Sequence, residues 1–304
     1  MKMINIVAPL NMNISFFICA QALRAWLDPS IKTRINDHPE PFVFNLVIGD
    51  INTPFAYPLW NHVVKVWWLD TAVYQQGLDR SKIRGELWLT SMWNASFFKD
   101  YKKLIEEAKI RIVPRLVHPL FFMYDATTIR MSDKVYDLCI IATDVARKGV
   151  RLVEEACRRL RLKCFIASPV HEVKPYSLST VSIINKLMLC KYLAFPSGAE
   201  GFGLPPEEAA VLGVPSIYIS ATALRERFYG FPIEPDAEIE TIAAGGRMKL
   251  WTVSVDKFVE TVKEALSITN EEYMTLAREV QDEARSRQYD AIEFVNSYIL
   301  EHAW

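Results

Sequence analysis

The chain reads as an α/β protein with two Rossmann-like domains, and three observations point there. Short β-rich runs are each followed by a stretch of helical periodicity. The 304 residues, 51% of them apolar, are enough for two cores of ordinary size. Finally, "YLAFPSGAEGFGLPPEEAAVLGVPSIYIS", Tyr192 to Ser220, carries an apolar strand into a loop of glycines, prolines and glutamates, followed by a second apolar run.

The alternation can be followed along the chain. "INIVA" precedes a helical pattern from Phe16 to Leu27, "LWLTS" one from Phe97 to Ala108, "DLCIIAT" one from Val150 to Leu160, and "KCFIA" one from Val181 to Leu189. Strands that alternate with helices build parallel sheets covered on both faces. "FVFNLVIG" and "VVKVWWLD" add two buried strands whose crossover helices are less evident. Regular alternation lapses between Val113 and Leu138, which sets a domain boundary near residue 125. The expected domains are 1–125 and 126–285, followed by a helix over 286–304 in "QYDAIEFVNSYILEHAW".

Composition excludes several classes. A formal charge of −1 gives no global basic footprint for nucleic acid. The cysteines at 19, 139, 157, 164 and 190 are odd in number and form no C-x-x-C pair. They therefore predict small apolar residues in a reducing, cytoplasmic setting, with neither disulfides nor a zinc site. Pro9, Asn11 and Asn13 split the apolar N-terminal run, so it reads as strand, loop and helix instead of a signal peptide. No run has the roughly 18 apolar residues that a membrane span needs. Lys102 to Arg111 reads as a solvated helix face or, more sharply, as a basic edge resting peripherally on anionic lipid.

The loop after "KYLAF" leaves a parallel strand at its carboxyl end, where open α/β sheets bind ligands. Pro205 and Pro206 suit a helix start, and Gly213 with Pro215 marks its end, predicting a helix from Pro206 to Leu212. Gly201 and Gly203 let the backbone approach a ligand, so the amides from Gly201 through Phe202 and Gly203 to Leu204 form an anion site. Glu207 reads as an acid that complements the helix dipole. Glu208 stands eight residues after Glu200, and the two carboxylates suit the adjacent hydroxyls of a sugar or ribose. Phosphate amides plus hydroxyl-binding carboxylates describe a nucleotide sugar. A paired-carboxylate hydrolase is the rival reading, and the glycine-rich helix-start context argues against it.

"EGFGLPPEEAAVLGVPSI" resembles the E-x(7)-E signature of retaining glycosyltransferases of the GT-B fold, family 4, whose common form is EGFGLP followed by LEAMA and CGVPVI. "DLCIIATDVARKGVRLVEEACRRL" is similar to the first strand and helix of that family's donor domain, with Lys148 and Gly149 on its lysine-glycine positions. "GELWLTSMWNASFF" and "IRIVPRLVHPLF" resemble the last strands of its acceptor domain. The match is strong from 136 to 220 and faint before that.

The resemblance implies two Rossmann-like domains facing across a cleft, with acceptor bound by the first and donor by the second. The last helix would cross back to the first domain. A sugar would pass from a UDP- or GDP-sugar to an acceptor hydroxyl with retention, without a bound metal or cofactor. Glu200 would hold the transferred sugar and Glu208 the ribose, while Lys148, with Arg147, would neutralise the diphosphate. Thr143 occupies the position of the family's arginine, and Arg147 stands in for it. The base is expected near Ser168 to His171. The family's acceptor-domain histidine falls at Leu69, leaving Asp70 and Asn11 as candidates to fill its place. Trp67, Trp68 and Trp93 are read as core residues or as platforms for a sugar. The alternative is a catalytically degenerate domain that binds a sugar nucleotide or a partner without turnover.

Overall fold

The computed structural model describes residues 2–9, 14–243 and 246–303. Asn11 lies outside the described residues. The chain divides into two compact units, Met1–Pro119 with Arg287–Trp304, and Leu120–Ser286.

The first unit begins with β1 (Met3–Val7), α1 (Ile14–Trp26), β2 (Lys32–Asn36) and β3 (Phe44–Asp50). It continues through a one-turn α2 (Thr53–Ala56), β4 (Val64–Asp70), β5 (Glu86–Leu89), α3 (Met92–Ala95), α4 (Tyr101–Glu106) and β6 (Arg111–Ile112). The strands form one parallel sheet in the order β2-β1-β3-β4-β5-β6. The middle strands are apolar at nearly every position because both faces are covered, as parallel sheets require.

Of the helix expected from Phe97 to Ala108 only α4 forms, preceded by the separate one-turn α3. Asp100 sits between them in the left-handed region at φ 53°, and Phe97 and Phe98 turn into the core. Between β3 and β4 only α2 and a 3-10 turn cover the sheet, which explains the faint helical signal there. Trp67 and Trp68 are core residues: both are buried, and their indole N–H groups donate to the carbonyls of Arg84 and Val113. Trp93 is half-buried against Phe97.

The second unit runs β7 (Tyr136–Ile141), α5 (Val150–Leu160), β8 (Cys164–Ala167), α6 (Thr180–Met188), β9 (Cys190–Phe195), α7 (Leu204–Leu212), β10 (Ser216–Ile219) and β11 (Gly230–Ile233). These strands pair in parallel in the order β11-β10-β9-β7-β8. An antiparallel hairpin, β12 (Ala237–Ala243) and β13 (Gly246–Thr252), precedes α8 (Val255–Ser267). The last helix, α9 (Asn270–His302), belongs to the second unit up to Ser286 and to the first from Arg287 onward. In the first unit it packs Phe294 and Tyr298 against Trp88, and Gln288 bonds the backbone of Val117 and Arg115. No helix among the described residues is long and apolar enough to cross a membrane.

One expectation about the cysteines fails. Cys157, in the last turn of α5, and Cys164, opening β8, form a disulfide with a Cα–Cα separation of 6.4 Å. A seven-residue spacing carries no disulfide signal by itself; the tight αL turn at Arg161 brings the two residues together. Cys19, Cys139 and Cys190 are buried and outside any disulfide.

Candidate functional site

The site is built where β7 and β9 end and α5 and α7 begin. Gly149, at φ 65°, starts α5, and a Cβ there would lie 2.5 Å from the carbonyl oxygen of Pro196. Only glycine lets these two segments touch. Gly198 N–H then donates to the Arg147 carbonyl at 2.8 Å, tying the loop after β9 to the loop after β7. On its other side the Gly198 carbonyl accepts from the Trp251 N–H of β13.

This pairing brings three of the expected residues together. Glu200, 7% exposed, accepts from the Lys148 ammonium and the Ser197 hydroxyl, and from Arg147 Nη1 at 3.0 Å. Arg147 also donates to the Ala199 carbonyl and reaches Asp144 at the rim. Lys148 is equally buried, with its ammonium 4.6 Å from the Phe195 ring centre. Burial alone would raise the Glu200 carboxyl, but the Lys148 and Arg147 cations and the hydrogen bonds hold it below the ordinary range.

Gly203, at φ 90°, precedes α7, which starts at Leu204, two residues before the expected start. Neither α5 nor α7 has a side-chain cap. Because Pro205 and Pro206 lack N–H groups, donor capacity at α7 falls on the loop from Gly201 to Leu204. Phe202 is buried, its ring 4.4 Å beneath the Arg227 guanidinium, which also bonds its carbonyl.

The two glutamates of α7 differ from each other. Glu207 is fully buried and accepts from the Tyr229 hydroxyl at 2.8 Å, so it ties α7 to the residue before β11 and is not a solvent-facing dipole acid. Glu208 makes no hydrogen bond or ion pair among the described residues, and loss of water around it pushes its carboxyl up to about 8.

Other expected residues stand apart from this cluster. Thr143 is exposed on the β7 loop. Ser168 is buried after β8, where its hydroxyl bonds His171 at 2.6 Å, and His171 reaches Glu154 at 3.0 Å. Asp70, in the first unit, pairs with the buried Arg115 at 3.4 Å. Leu69, at the histidine position, is buried in the core.

Two contributors carried no sequence signal. Ser197 lies beneath Glu200, and the Thr222 hydroxyl accepts from the Glu200 N–H at 3.0 Å. Thr222 sits at φ 52°, a rare conformation for a β-branched residue and one that marks a constrained site. Among the described residues no group of three or more His, Cys, Asp or Glu side chains could hold a metal ion.

No protein-family model matches the chain. Among solved structures, the sucrose-phosphate synthase of Thermosynechococcus elongatus superposes with a TM-score of 0.61 at 10% identity, covering 99% of this chain and 98% of that one. The fold is GT-B. Among curated proteins, "Putative glycosyltransferase ORF330" of Acidianus filamentous virus 2 is 25% identical over 316 aligned positions, covering 90% of both chains. "Putative glycosyltransferase 41" of Sulfolobus islandicus filamentous virus is 25% identical over 202, covering 65% of this GT-B chain. The chain spans 58% of that second relative's length.

Proposed function

We propose that the chain is a retaining glycosyltransferase that moves a hexosyl group from a UDP- or GDP-sugar to an acceptor hydroxyl. The observation that carries this reading is the convergence of Lys148 and Arg147 on the buried Glu200, between the uncapped starts of α5 and α7. The viral relatives named as glycosyltransferases support the same class.

When the bond to the anomeric carbon breaks, negative charge grows on the diphosphate. Fixed cations and amides that meet it there lower the barrier most. Lys148, Arg147 and the Gly201 to Leu204 amides take that role. Without ligand, Glu200 neutralises the two cations. With donor present, the diphosphate shares them, and Glu200 turns an oxygen to the sugar hydroxyls. Glu208, with no partner of its own, receives the ribose, and the base lies near Ser168. Asp70, held by Arg115, contributes to acceptor binding in the first domain. The chemistry proceeds without a metal, and the protein works in the cytoplasm.

A thermal-shift screen against UDP, GDP, ADP, CMP and their sugar conjugates tests this, since a ligand of the native state raises its midpoint. A rise with one diphosphate, lost in Glu208→Ala, is expected. No rise with any of them in a folded protein would overturn the reading. Turnover of the matching sugar conjugate, with the product's anomeric configuration read by NMR, separates a retaining transferase from a domain that only binds.

A further inference from the structure

We propose that the loops leading into β3, β4 and β5 form a membrane-docking surface for anionic lipid. The proposal does not rest on the glycosyl-transfer reading.

Two buried asparagines bring these loops together. Asn45 donates to the carbonyls of Val43 and Val63, joining the turn before β3 to the turn before β4. Asn61 donates to the Lys82 carbonyl and accepts from the Arg84 N–H, joining the turn before β4 to the loop before β5. Large apolar side chains project from these turns: Phe42 is 96% exposed, Leu59 79% and Tyr57 51%. Phe42 also sits at φ 61°, a strained conformation for a bulky residue. A solvent-facing aromatic held by a strained backbone gains nothing for the fold, and such strain collects at functional positions.

Around these tips stand His62, Lys82 and Arg84, all exposed, with Arg84 3.3 Å from His62. Of the nearby acids, Glu40 is paired with Arg34 and bonded by Asn36, while Asp79 accepts from the N–H and hydroxyl of Ser81 and keeps its charge. Apolar tips ringed by cations fit a negatively charged bilayer surface, where the tips enter the interface and the cations meet headgroups. Phe42 protrudes from one turn, and Leu59 and Tyr57 from the next, with Tyr57 stacked on Trp60. A fluid interface receives such shapes without the complementary surface a protein partner would need. In the segment Lys102 to Arg111, which reads from sequence as a solvated helix face or as a basic edge on lipid, Lys103 pairs with Glu107, which also holds Lys109.

The test is co-sedimentation of the full chain with phosphatidylcholine vesicles, with and without phosphatidylglycerol. The protein is expected to bind only the anionic vesicles, and less as salt rises. A Phe42→Ser, Leu59→Ser double variant and a Lys82→Glu, Arg84→Glu double variant should each weaken partitioning by about tenfold or more. Phe42→Gly should raise the thermal midpoint while weakening binding, an outcome that misfolding cannot produce. Failure of the wild-type chain to bind overturns the proposal. So does unchanged binding by the apolar variant, or a wild-type chain that self-associates through these residues and ignores vesicles.

Discussion

The carboxyl ends of the two parallel sheets hold similar groups and use them in opposite ways. In the first, the Arg115 guanidinium is consumed by the protein: it bonds the carbonyls of Trp68 and Gly49, pairs with Asp70, and lies between Phe16 and Trp68. In the second, Lys148 and Arg147 meet on one buried carboxylate, and Glu208 has no partner among the described residues. A cation tied to carbonyls stiffens a wall, whereas cations that share one carboxylate can be handed to an incoming anion. The same fold thus gives one edge whose cation is tied to the backbone and one whose cations share a single carboxylate.

Substitutions can break this contrast. Arg115→Ala should have the largest effect on stability, about 4 kcal/mol, because it strands Asp70 and two carbonyls and opens a void between aromatic rings. Nucleoside diphosphate affinity should survive, as denaturant titration and calorimetry together would reveal. Lys148→Met should cost about 3 kcal/mol by leaving the buried Glu200 short of one cation, and should abolish diphosphate binding as well. If binding persists, the second edge is as structural as the first.

Gly149→Ala probes the junction beneath the cluster. Its Cβ would meet the Pro196 carbonyl at 2.5 Å, so a loss of about 2 kcal/mol and weakened binding are expected by the same two measurements. Tyr229→Phe removes a donor to the buried Glu207 and should cost about 1 kcal/mol without touching affinity.

A further contrast concerns pH. The folded-state value of Glu208, about 8, lies above the ordinary 4.5, so the folded chain holds this proton more tightly than the unfolded one. That contribution is complete below pH 4.5 and is lost as pH rises through 8. Glu208→Gln should therefore flatten the decline of the thermal midpoint across this interval, and equal slopes for both proteins would refute the assignment.

The central strands and their parallel sense were legible because burial on both faces writes continuous apolar runs, and the glycine-rich loop because Gly203 and Gly213 sit where the backbone turns left-handed; β2, β11 and the β12–β13 hairpin, short or amphipathic, were not. Glu200 was legible as a hydroxyl-binding carboxylate and Lys148 through resemblance, but their contact was not, since nothing in their spacing says that residues 52 apart will touch. Thr222, Ser197 and the Glu207–Tyr229 bond were not, because each depends on tertiary contact and not on local pattern. The break of the Phe97–Ala108 helix escaped notice because its composition suits a helix. Only the left-handed Asp100 and the inward turn of Phe97 and Phe98 end it.

The division of α9 between the units sets an order of assembly on the ribosome. The second unit is one continuous stretch, complete once Ser286 has emerged. The first is started earliest and finished last, since Trp88 and the backbone at Arg115 and Val117 wait for Gln288, Phe294 and Tyr298. At about 5 to 20 residues per second, its open sheet stands uncovered for many seconds while the other unit is made. A chain cut short before Gln288 would therefore leave Trp88 and the backbone at Arg115 and Val117 uncovered, which gives quality-control proteases a handle on incomplete copies.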